Sequence, residues 1–404
     1  MPRRLTAALA LVAAVGAVAV IPASAAKPSP TGAPASPRLG IGHVFVIVLE
    51  NESFDASYGP NSPAPYLSKT LPSQGTLLTQ YFGTAHLSNP NYIAMVSGQA
   101  PNPANQSDCN DYVNFEPSPA VFDPRGNGQA VGQGCVYPSN VLTIADQLQA
   151  AGLSWRGYME DMGNDDSRES SQCGAPADST LTGQRDGTQS AEKQDQYAAR
   201  HNPFVYFHSL IDTGSCTRNV VSLKHLAGDL ASSDTTRNFS FITPNLCHDG
   251  HDTNCADGEP GGLTSVDQFL SQWVPAIEAS PAFQDNGLLV VTTDEAEFNQ
   301  NGEDSTACCN EQPGPDSPLP GIFGPGGGRI GSVVVGRCVG AGVQDATPYN
   351  HYSLLRTLED LFGVTKGGAD GKGHLGFAGA SDLSAFGPDV FSTCSTRSNG
   401  SVKG

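Results

Sequence analysis

The stretch Gly42-His-Val-Phe-Val-Ile-Val-Leu49 is almost entirely apolar, is rich in β-branched residues and ends directly at Glu50-Asn51. Runs of this kind are typical of strands that are buried in a parallel sheet. Further strands are predicted at residues 153–158, 238–243, 287–293 and 330–336. Helical patterns alternate with them at residues 140–151, 266–279 and 352–362, and Pro275 predicts that the second helix ends or kinks there. This alternation predicts an α/β fold with a doubly wound, mostly parallel sheet flanked by helices.

The composition argues against a nucleic-acid-binding protein and indicates a chain with a core and many loops. The chain has 404 residues, with 40 acidic and 21 basic side chains and a formal net charge of −19. Proteins that bind nucleic acids usually present a basic face, so no nucleic-acid partner is expected. Hydrophobic residues make up 38% of the chain, which is enough for a core, and 46 glycines and 30 prolines indicate many loops. Two loop-rich insertions are predicted, at residues 102–134 and 298–328.

The first residues have the features of an export signal. Two arginines precede an apolar run from Leu5 to Ile21, and small residues follow at Ala23-Ser-Ala-Ala26. This pattern predicts a cleaved signal peptide over residues 1–26 and a secreted protein without stable membrane insertion. The alternative is a membrane anchor, for which the run is at the short limit. A flexible linker (27–40), a single domain (41–395) and a disordered tail (396–404) are then expected.

Ten cysteines fit an exported protein, because disulfides form in oxidising compartments. Their spacing favours three pairs, which are Cys109–Cys135, Cys173–Cys216 and Cys247–Cys255. The pairing of the remaining four is left open by the spacing; these are Cys308, Cys309, Cys338 and Cys394. The chain has no Cys-x-x-Cys motif, which excludes a zinc ribbon. Five disulfides are therefore expected, several of them bracing loops.

Acidic and amide side chains follow two of the predicted strands. Glu50-Asn51 comes directly after the first strand, and Asp294-Glu295 comes after the strand at 287–293. In open parallel sheets, ligands bind beyond the carboxyl ends of the strands. Oxygen ligands of this kind suit a divalent cation. The alternative interpretation is that these residues cap the helices that follow the strands.

A serine and several histidines could supply the chemistry. Ser88 precedes a helix-like stretch, where a hydroxyl can act as a nucleophile, or it could simply cap that helix. His248 and His251 lie three residues apart, with Asp249 beside them, and His351 leads into a helix. These histidines could orient a phosphoryl oxygen or protonate a leaving group. Two alternatives stay open for the first pair: a second, zinc-type metal site, or surface histidines beside a disulfide.

The segment Glu50-Asn-Glu-Ser-Phe-Asp-Ala-Ser-Tyr-Gly59 resembles the signature Glu-Asn-x-Ser-Phe-Asp-x-x-(Phe/Tyr/Leu)-Gly of a phosphoesterase family. That family holds acid phosphatases and non-specific phospholipases C, and it belongs to the alkaline-phosphatase superfamily. Further segments resemble family motifs in the same order along the chain; they are residues 86–92, 155–160, 200–207, 243–251, 293–295 and 351–362. The resemblance covers about residues 43–363 and implies an alkaline-phosphatase-like fold with disulfide-braced insertions.

The resemblance also implies the site residues. One divalent metal ion, which could be zinc, manganese, calcium or magnesium, is expected to bind five residues: Glu50, Asn51, Ser88, Asp294 and Glu295. Ser88 is expected to be the nucleophile as well. The implied catalytic histidines are His248, His251 and His351, and the implied substrate-binding residues are His86, Asn91 and His201. Some relatives carry Asp at the position of Glu295, and the loop after it is longer here than in the phospholipases. Cys308-Cys309 in that loop suggests a local disulfide lid.

The predicted function is that of a secreted, metal-dependent phosphoesterase that hydrolyses phosphate monoesters through a phosphoserine intermediate. One alternative is a phospholipase C that acts on phosphatidylcholine or phosphatidylinositol headgroups. The acidic chain is repelled by anionic membranes, and no amphipathic interfacial helix is found, which favours small phosphate esters as substrates. Another alternative is a non-catalytic secreted binding protein on the same scaffold. The sequence leaves the oligomeric state open.

Overall fold

The apolar run that follows Gly42 forms an inner strand of an eight-stranded sheet in this computed structural model, which describes residues 39–177, 182–297 and 304–394. The strands of the described residues are β1 (His43–Leu49), β2 (Thr76–Leu78), β3 (Tyr81–Phe82), β4 (Asp111–Val113), β5 (Glu116–Phe122), β6 (Ala130–Gln133), β7 (Trp155–Met159), β8 (Thr182–Arg185), β9 (Val220–Ser222), β10 (Phe239–Thr243), β11 (Gly287–Thr293), β12 (Ser332–Gly336), β13 (Val343–Asp345) and β14 (Tyr349–Asn350). The α-helices are α1 (Phe54–Tyr58), α2 (Leu71–Gln74), α3 (Ser88–Ser97), α4 (Ile144–Ala150), α5 (His208–Ile211), α6 (Ser215–Asn219), α7 (Leu226–Asp229), α8 (Gly262–Glu278), α9 (Pro281–Asn286) and α10 (His351–Phe362).

The strand order of the large sheet is β13-β2-β12-β11-β1-β10-β7-β9. Every neighbouring pair is parallel except the two that involve β12, which runs antiparallel to both β11 and β2. The predicted doubly wound, mostly parallel sheet is therefore confirmed. The sequence pattern of β12 predicted a strand but not its direction, because a buried apolar run has the same composition in either direction.

Both faces of β1 are covered, which explains why its sequence does not alternate. Val44, Val46 and Val48 belong to a hydrophobic cluster that includes side chains of α3, α4 and α10. Phe45 and Ile47 point the other way, into a cluster that includes the apolar face of α8. Each fully buried side chain of this size contributes about 1.5–3 kcal/mol to the stability of the fold. The sheet is thus a rigid platform for the residues at its carboxyl edge.

Two helices differ from their predicted bounds. Helix α8 begins at Gly262, four residues earlier than expected, and continues through Pro275 to Glu278 instead of ending at the proline. A proline so close to the end of a helix removes one backbone hydrogen bond and leaves little helix beyond it to disrupt. Helix α4 begins at Ile144 because Thr143 and Asp146 form a capping box there.

Five disulfides join all ten cysteines, and no cysteine is free. The three pairs that the spacing favoured are confirmed. The remaining bonds are Cys308–Cys309, between adjacent residues, and Cys338–Cys394, which ties the chain just after β12 to the last described residue. The first predicted insertion contains the β5–β6 hairpin as well as loops.

Some predictions concern residues that the structure does not describe. The signal peptide (1–26), most of the linker (27–40) and the tail (396–404) lie outside the described residues. The domain boundaries 41–395 stay a prediction, although the described residues all fall within one compact unit. Among the described residues, no helix is both long enough and apolar enough to cross a membrane.

Candidate active site

Three segments meet at the carboxyl edge of the sheet. The register Leu49↔Thr293 in the parallel pair β1–β11 places Glu50 and Asp294 side by side. Backbone hydrogen bonds fix this arrangement: Asp294 N donates to Leu49 O at 2.9 Å, and Glu50 N donates to Asp249 O at 2.8 Å. Carboxylates that are far apart in sequence are therefore held together before any ligand binds.

Ser88 lies at the start of helix α3 and faces this edge. Its Oγ donates a hydrogen bond to Glu50 Oε2 at 2.9 Å, and the residue is buried. Ser88 is not simply the residue that caps helix α3. It is the first helical residue, and the N-cap position belongs to Leu87, whose side chain makes no capping hydrogen bond. Leu87 has φ 70° and ψ 144°, a conformation that costs on the order of 1–3 kcal/mol for a residue with a side chain. Strain of this kind is often found where a fold holds a functional residue in place.

Asn91 holds the loop that leads to Ser88. Its Oδ1 accepts hydrogen bonds from Thr84 N (2.9 Å) and Ala85 N (3.0 Å), and its Nδ2 donates to Ala85 O and Leu87 O. Both ends of the amide are thus bonded to the chain, and the residue is fully buried. The structure gives Asn91 a positioning role, and a contact with substrate stays a prediction.

His201 lies between two carboxylates. Its Nε2 is 2.9 Å from Glu50 Oε1 and its Nδ1 is 3.5 Å from Asp249 Oδ2, while its ring stacks on Tyr92 with centroids 5.1 Å apart. Burial lowers the pKa of His201 to about 4, so its imidazole is neutral at physiological pH and can act as a ligand. Glu50, His201 and Asp249 each offer a ligand atom, and these atoms lie within 4.8 Å of one another.

The chemistry of this cluster fits a divalent cation. Asn51 Oδ1 and Asp294 Oδ2 are buried and have no hydrogen-bond partner among the described residues. Burial and the charge of Glu50 raise the pKa values of Asp249 and Asp294 well above their usual range. Buried carboxylates with unused oxygens carry an energetic penalty that a bound cation would relieve. The oxygen-rich set agrees with the expected chemistry, with Asp249 and His201 as additional candidate ligands.

Glu295 contacts a histidine. One of its carboxylate oxygens forms a short contact with His86 Nδ1, and the opposite ring nitrogen of His86 is 3.2 Å from Asp304 O. Burial raises the pKa of Glu295 to about 7. These contacts link the carboxyl edge to the described part of the second insertion, which begins at Asp304. A metal-ligand role for Glu295 and a substrate contact for His86 stay predictions.

The three histidines expected to be catalytic have different surroundings. His351 is buried, and its Nε2 and Nδ1 are occupied by Asp294 O (2.5 Å) and Tyr81 OH (3.2 Å). Burial lowers the pKa of His351 to about 4. His248 is held between Glu160 (3.0 Å) and Glu259 (3.1 Å), which occupy both of its ring nitrogens.

His251 is the exception among these three. Its Nδ1 lies 2.7 Å from Asp252 Oδ1, and its Nε2 has no hydrogen-bond partner within the described part of the chain. The hydrogen bond to Asp252 raises the pKa of His251 to about 9. Its backbone N donates to Asp249 Oδ1 at 2.8 Å, which ties it to the carboxylate cluster. Of the three, His251 is therefore the best placed to give a proton to a ligand.

The alternative of a second, zinc-type site receives little support. The described residues offer one other group of three candidate ligands, Cys247, His248 and Glu259, and His251 is not part of it. Cys247 is bonded to Cys255, so its sulfur is not a thiolate.

The family model described as Phosphoesterase family matches residues 61–365. The chain belongs to this family. It is 27% identical over 320 residues to a probable acid phosphatase of Kluyveromyces lactis, covering 78% of this chain and 56% of that protein. It is 26% identical over 337 residues to a phosphatidylinositol-3-phosphatase of Mycobacterium tuberculosis, covering 83% of this chain and 82% of that protein. The chain thus spans little more than half the length of the first relative.

The fold of this family member is also similar to a solved structure, a protein in the alkaline phosphatase superfamily from Vibrio parahaemolyticus. The TM-score is 0.44 and the identity is 14%, with 84% of this chain and 71% of that chain covered.

Sequence reasoning about this phosphoesterase-family chain missed three buried residues near the site: Tyr92, Arg200 and Asp249. Asp249 lies in the segment at 243–251, which resembles a family motif, but the resemblance implied roles only for the histidines beside it. Tyr92 follows the Ser88 helix start and would have been read as a core residue. Arg200 opens the segment at 200–207, which resembles a family motif, but the resemblance implied no role for it, and its surroundings come from distant segments.

Proposed function

We propose that the protein is an exported, metal-dependent phosphatase that hydrolyses phosphate monoesters through a phosphoserine on Ser88. The observation that carries the proposal is the hydrogen bond from Ser88 Oγ to Glu50 within a buried carboxylate cluster. A hydroxyl at the start of a helix lies in a field that favours an incoming anionic phosphoryl group. The family match and the acid phosphatases among the relatives support the reaction class.

The residues that would hold the metal are Glu50, Asn51, His201, Asp249 and Asp294. The bound cation would supply positive charge that makes the Ser88 hydroxyl more acidic and offsets charge on the phosphoryl oxygens. Ser88 and Glu295, the other two ligands that the resemblance implies, complete the proposed set.

The chain's own residues would carry the proton transfers. Glu50 Oε2 accepts the hydrogen bond of the Ser88 hydroxyl and orients it, and the hydroxyl proton passes to solvent as Oγ attacks phosphorus. His251 donates a proton from its free Nε2 to the leaving alcohol as the phosphorus–oxygen bond breaks. A water molecule then attacks phosphorus and gives a proton to His251, the bond between phosphorus and Ser88 Oγ breaks, inorganic phosphate leaves, and Oγ takes up a proton from solvent. Because His251 is protonated below about pH 9, it is in the correct state for this role under acidic and neutral conditions.

Five disulfides support export, because such bonds persist in oxidising compartments.

A phospholipid substrate is the second candidate, and one observation favours it. Leu319 and Phe323 are exposed apolar side chains, and between them Pro320 O accepts a hydrogen bond from His86 N, close to the Ser88 loop. Exposed apolar side chains beside a site can contact acyl chains. The net charge of −19 opposes binding to anionic membranes, which keeps small esters as the first proposal.

A substrate panel with a metal series tests these proposals. We expect turnover of p-nitrophenyl phosphate, at least a 1,000-fold loss of kcat in Ser88→Ala, and unchanged metal content. Ser97→Ala is the matched control, because Ser97 is a buried serine of the same helix whose hydroxyl bonds only to nearby backbone groups, Ile93 O and Gln99 N. Full activity of Ser88→Ala would refute the mechanism. Release of phosphorylated headgroups from phosphatidylcholine or phosphatidylinositol micelles would support the phospholipase alternative. No turnover with any metal would leave the non-catalytic binding protein.

A further inference from the structure

Arg200 is a buried cation with most of its donors unused. The residue is 4% exposed, and within the described part of the chain its side chain makes one hydrogen bond, from Nη1 to Gln189 O at 3.0 Å. A guanidinium carries five N–H donors arranged as a planar fork. No nitrogen of Arg200 is among the described side-chain atoms that are both buried and unpaired, so the unused donors stay accessible to a small partner that enters from solvent.

The carboxylates around Arg200 do not supply that partner. Asp108, Glu50, Asp249 and Asp186 all raise its pKa through their charge, against the effect of burial. None of the described carboxylates forms an ion pair with it within 4.0 Å. These acids therefore stabilise the positive charge from a distance, while the fork of donors stays available for a closer anion.

Arg200 lines a cavity of about 330 Å³ next to the proposed active site. Ser190, Leu246, His251 and Asn254 also line it. The chain itself links this cavity to the carboxylate cluster, because Arg200 precedes His201 and because His251 N donates to Asp249. Ser88 is not among the lining residues. The one carboxylate on the wall, Asp252, is already engaged with His251 Nδ1.

We propose that Arg200 recognises an anionic oxygen group, a carboxylate or a second phosphate, on the leaving-group part of the substrate. This inference rests on the proposed phosphatase function. The phosphoryl group that is transferred must lie at Ser88, whereas Arg200 faces a separate cavity whose volume is in the range of small-molecule sites. Bidentate pairing between a guanidinium and a carboxylate or phosphate is strong and directional, especially where water is excluded. Arg200 is then a specificity-determining residue, and the preferred substrates carry two anionic groups.

A matched pair of substrates tests the inference. 3-Phosphoglycerate and glycerol 3-phosphate share the same phosphate ester and differ in a carboxylate at the other end. We expect the wild-type kcat/KM to be at least tenfold higher for 3-phosphoglycerate. Arg200→Gln should lower kcat/KM for 3-phosphoglycerate at least tenfold, mainly through KM, and change that for glycerol 3-phosphate less than threefold. Arg200→Lys keeps the charge but loses the fork, and it should show a smaller, equally selective loss.

Inhibition of the wild-type enzyme provides a test that needs no variant. Glycerate should inhibit p-nitrophenyl phosphate hydrolysis at least tenfold more strongly than glycerol does. Equal inhibition, no substrate preference in the wild type, or an equal loss for both substrates in Arg200→Gln would overturn the inference and leave the proposed function intact. Absence of turnover for either substrate and for p-nitrophenyl phosphate would instead refute the proposed function.

Discussion

Replacing Asp249 with Asn should have opposite effects on the metal-free and metal-bound protein. Asp249 and Glu50 offer carboxylate oxygens within 4.8 Å of each other, and both side chains are fully buried. Two full negative charges at that distance repel by about 3.5 kcal/mol at an effective dielectric constant of about 20. Burial, and then the charge of Glu50, raise the pKa of Asp249, so protonation of Asp249 can remove part of this repulsion. The metal-free variant should therefore be more stable than the wild type by about 1–3 kcal/mol.

Asp249→Asn is nearly isosteric, so the two proteins differ mainly in the charge at this position. The Asn Oδ1 can still accept the hydrogen bond from His251 N that Asp249 Oδ1 accepts at 2.8 Å. A saturating metal at about 100 times its Kd stabilises a folded protein by about 2.7 kcal/mol. A neutral amide is a weaker ligand, and a tenfold loss of affinity would remove about 1.4 kcal/mol of that gain.

Urea unfolding, with the disulfides intact, measures both effects. Midpoints are compared for wild type and Asp249→Asn in a chelator and in each of the four candidate metals. Asp146→Asn is the control, because Asp146 caps helix α4 and lies outside the carboxylate cluster. The control should keep the full stabilisation by metal. If Asp249→Asn is less stable than the wild type in chelator, or gains as much stability from metal, the interpretation of the cluster as a cation site is refuted.

Three further predictions concern the metal, the Ser88 loop and a buried acid. Dialysis against a chelator should lower activity at least tenfold, with recovery on adding one of the candidate metals; unchanged activity in a metal-free sample would exclude the metal role. In Gly327→Ala, the new Cβ would lie 2.1 Å from Ala85 O, so kcat should fall at least tenfold; wild-type kcat would show that the loop tolerates the shift. Burial raises the pKa of Glu169 to about 7 in the folded protein. The stability that its bound proton provides is therefore complete below about pH 4.5 and is lost as the pH rises through 7. Chemical unfolding should show Glu169→Gln to be more stable than wild type by about 2 kcal/mol at pH 8 and equal to it at pH 4.5; a difference that does not vary with pH would contradict this.

The strand ends could be predicted because their positions follow from simple geometry. Parallel neighbours in a sheet end at the same edge, so the residues after β1 and β11 had to meet, and the register Leu49↔Thr293 shows that they do. Spacing was also enough for three disulfides. The direction of β12 could not be predicted, because an apolar run fixes burial but not orientation.

The deeper part of the site depends on contacts between distant segments. His201 reaches Glu50 across about 150 residues of sequence, from a short 3₁₀ turn that has no amphipathic pattern. From the sequence, His248, His251 and His351 were equal candidates for a catalytic role. Only their surroundings separate them. Two carboxylates occupy both ring nitrogens of His248, and a backbone carbonyl and the Tyr81 hydroxyl occupy those of His351. The ability of a histidine to reach a ligand is a tertiary property.

Trapping the intermediate tests the central claim most directly. The wild-type protein is mixed with substrate and its preferred metal, quenched in acid within one turnover, digested and analysed by mass spectrometry. We predict phosphate on Ser88, in the peptide that spans helix α3, and none in the same peptide of Ser88→Ala or elsewhere in the chain. Turnover at the normal rate with no phosphorylated Ser88 at any quench time would contradict the phosphoserine mechanism.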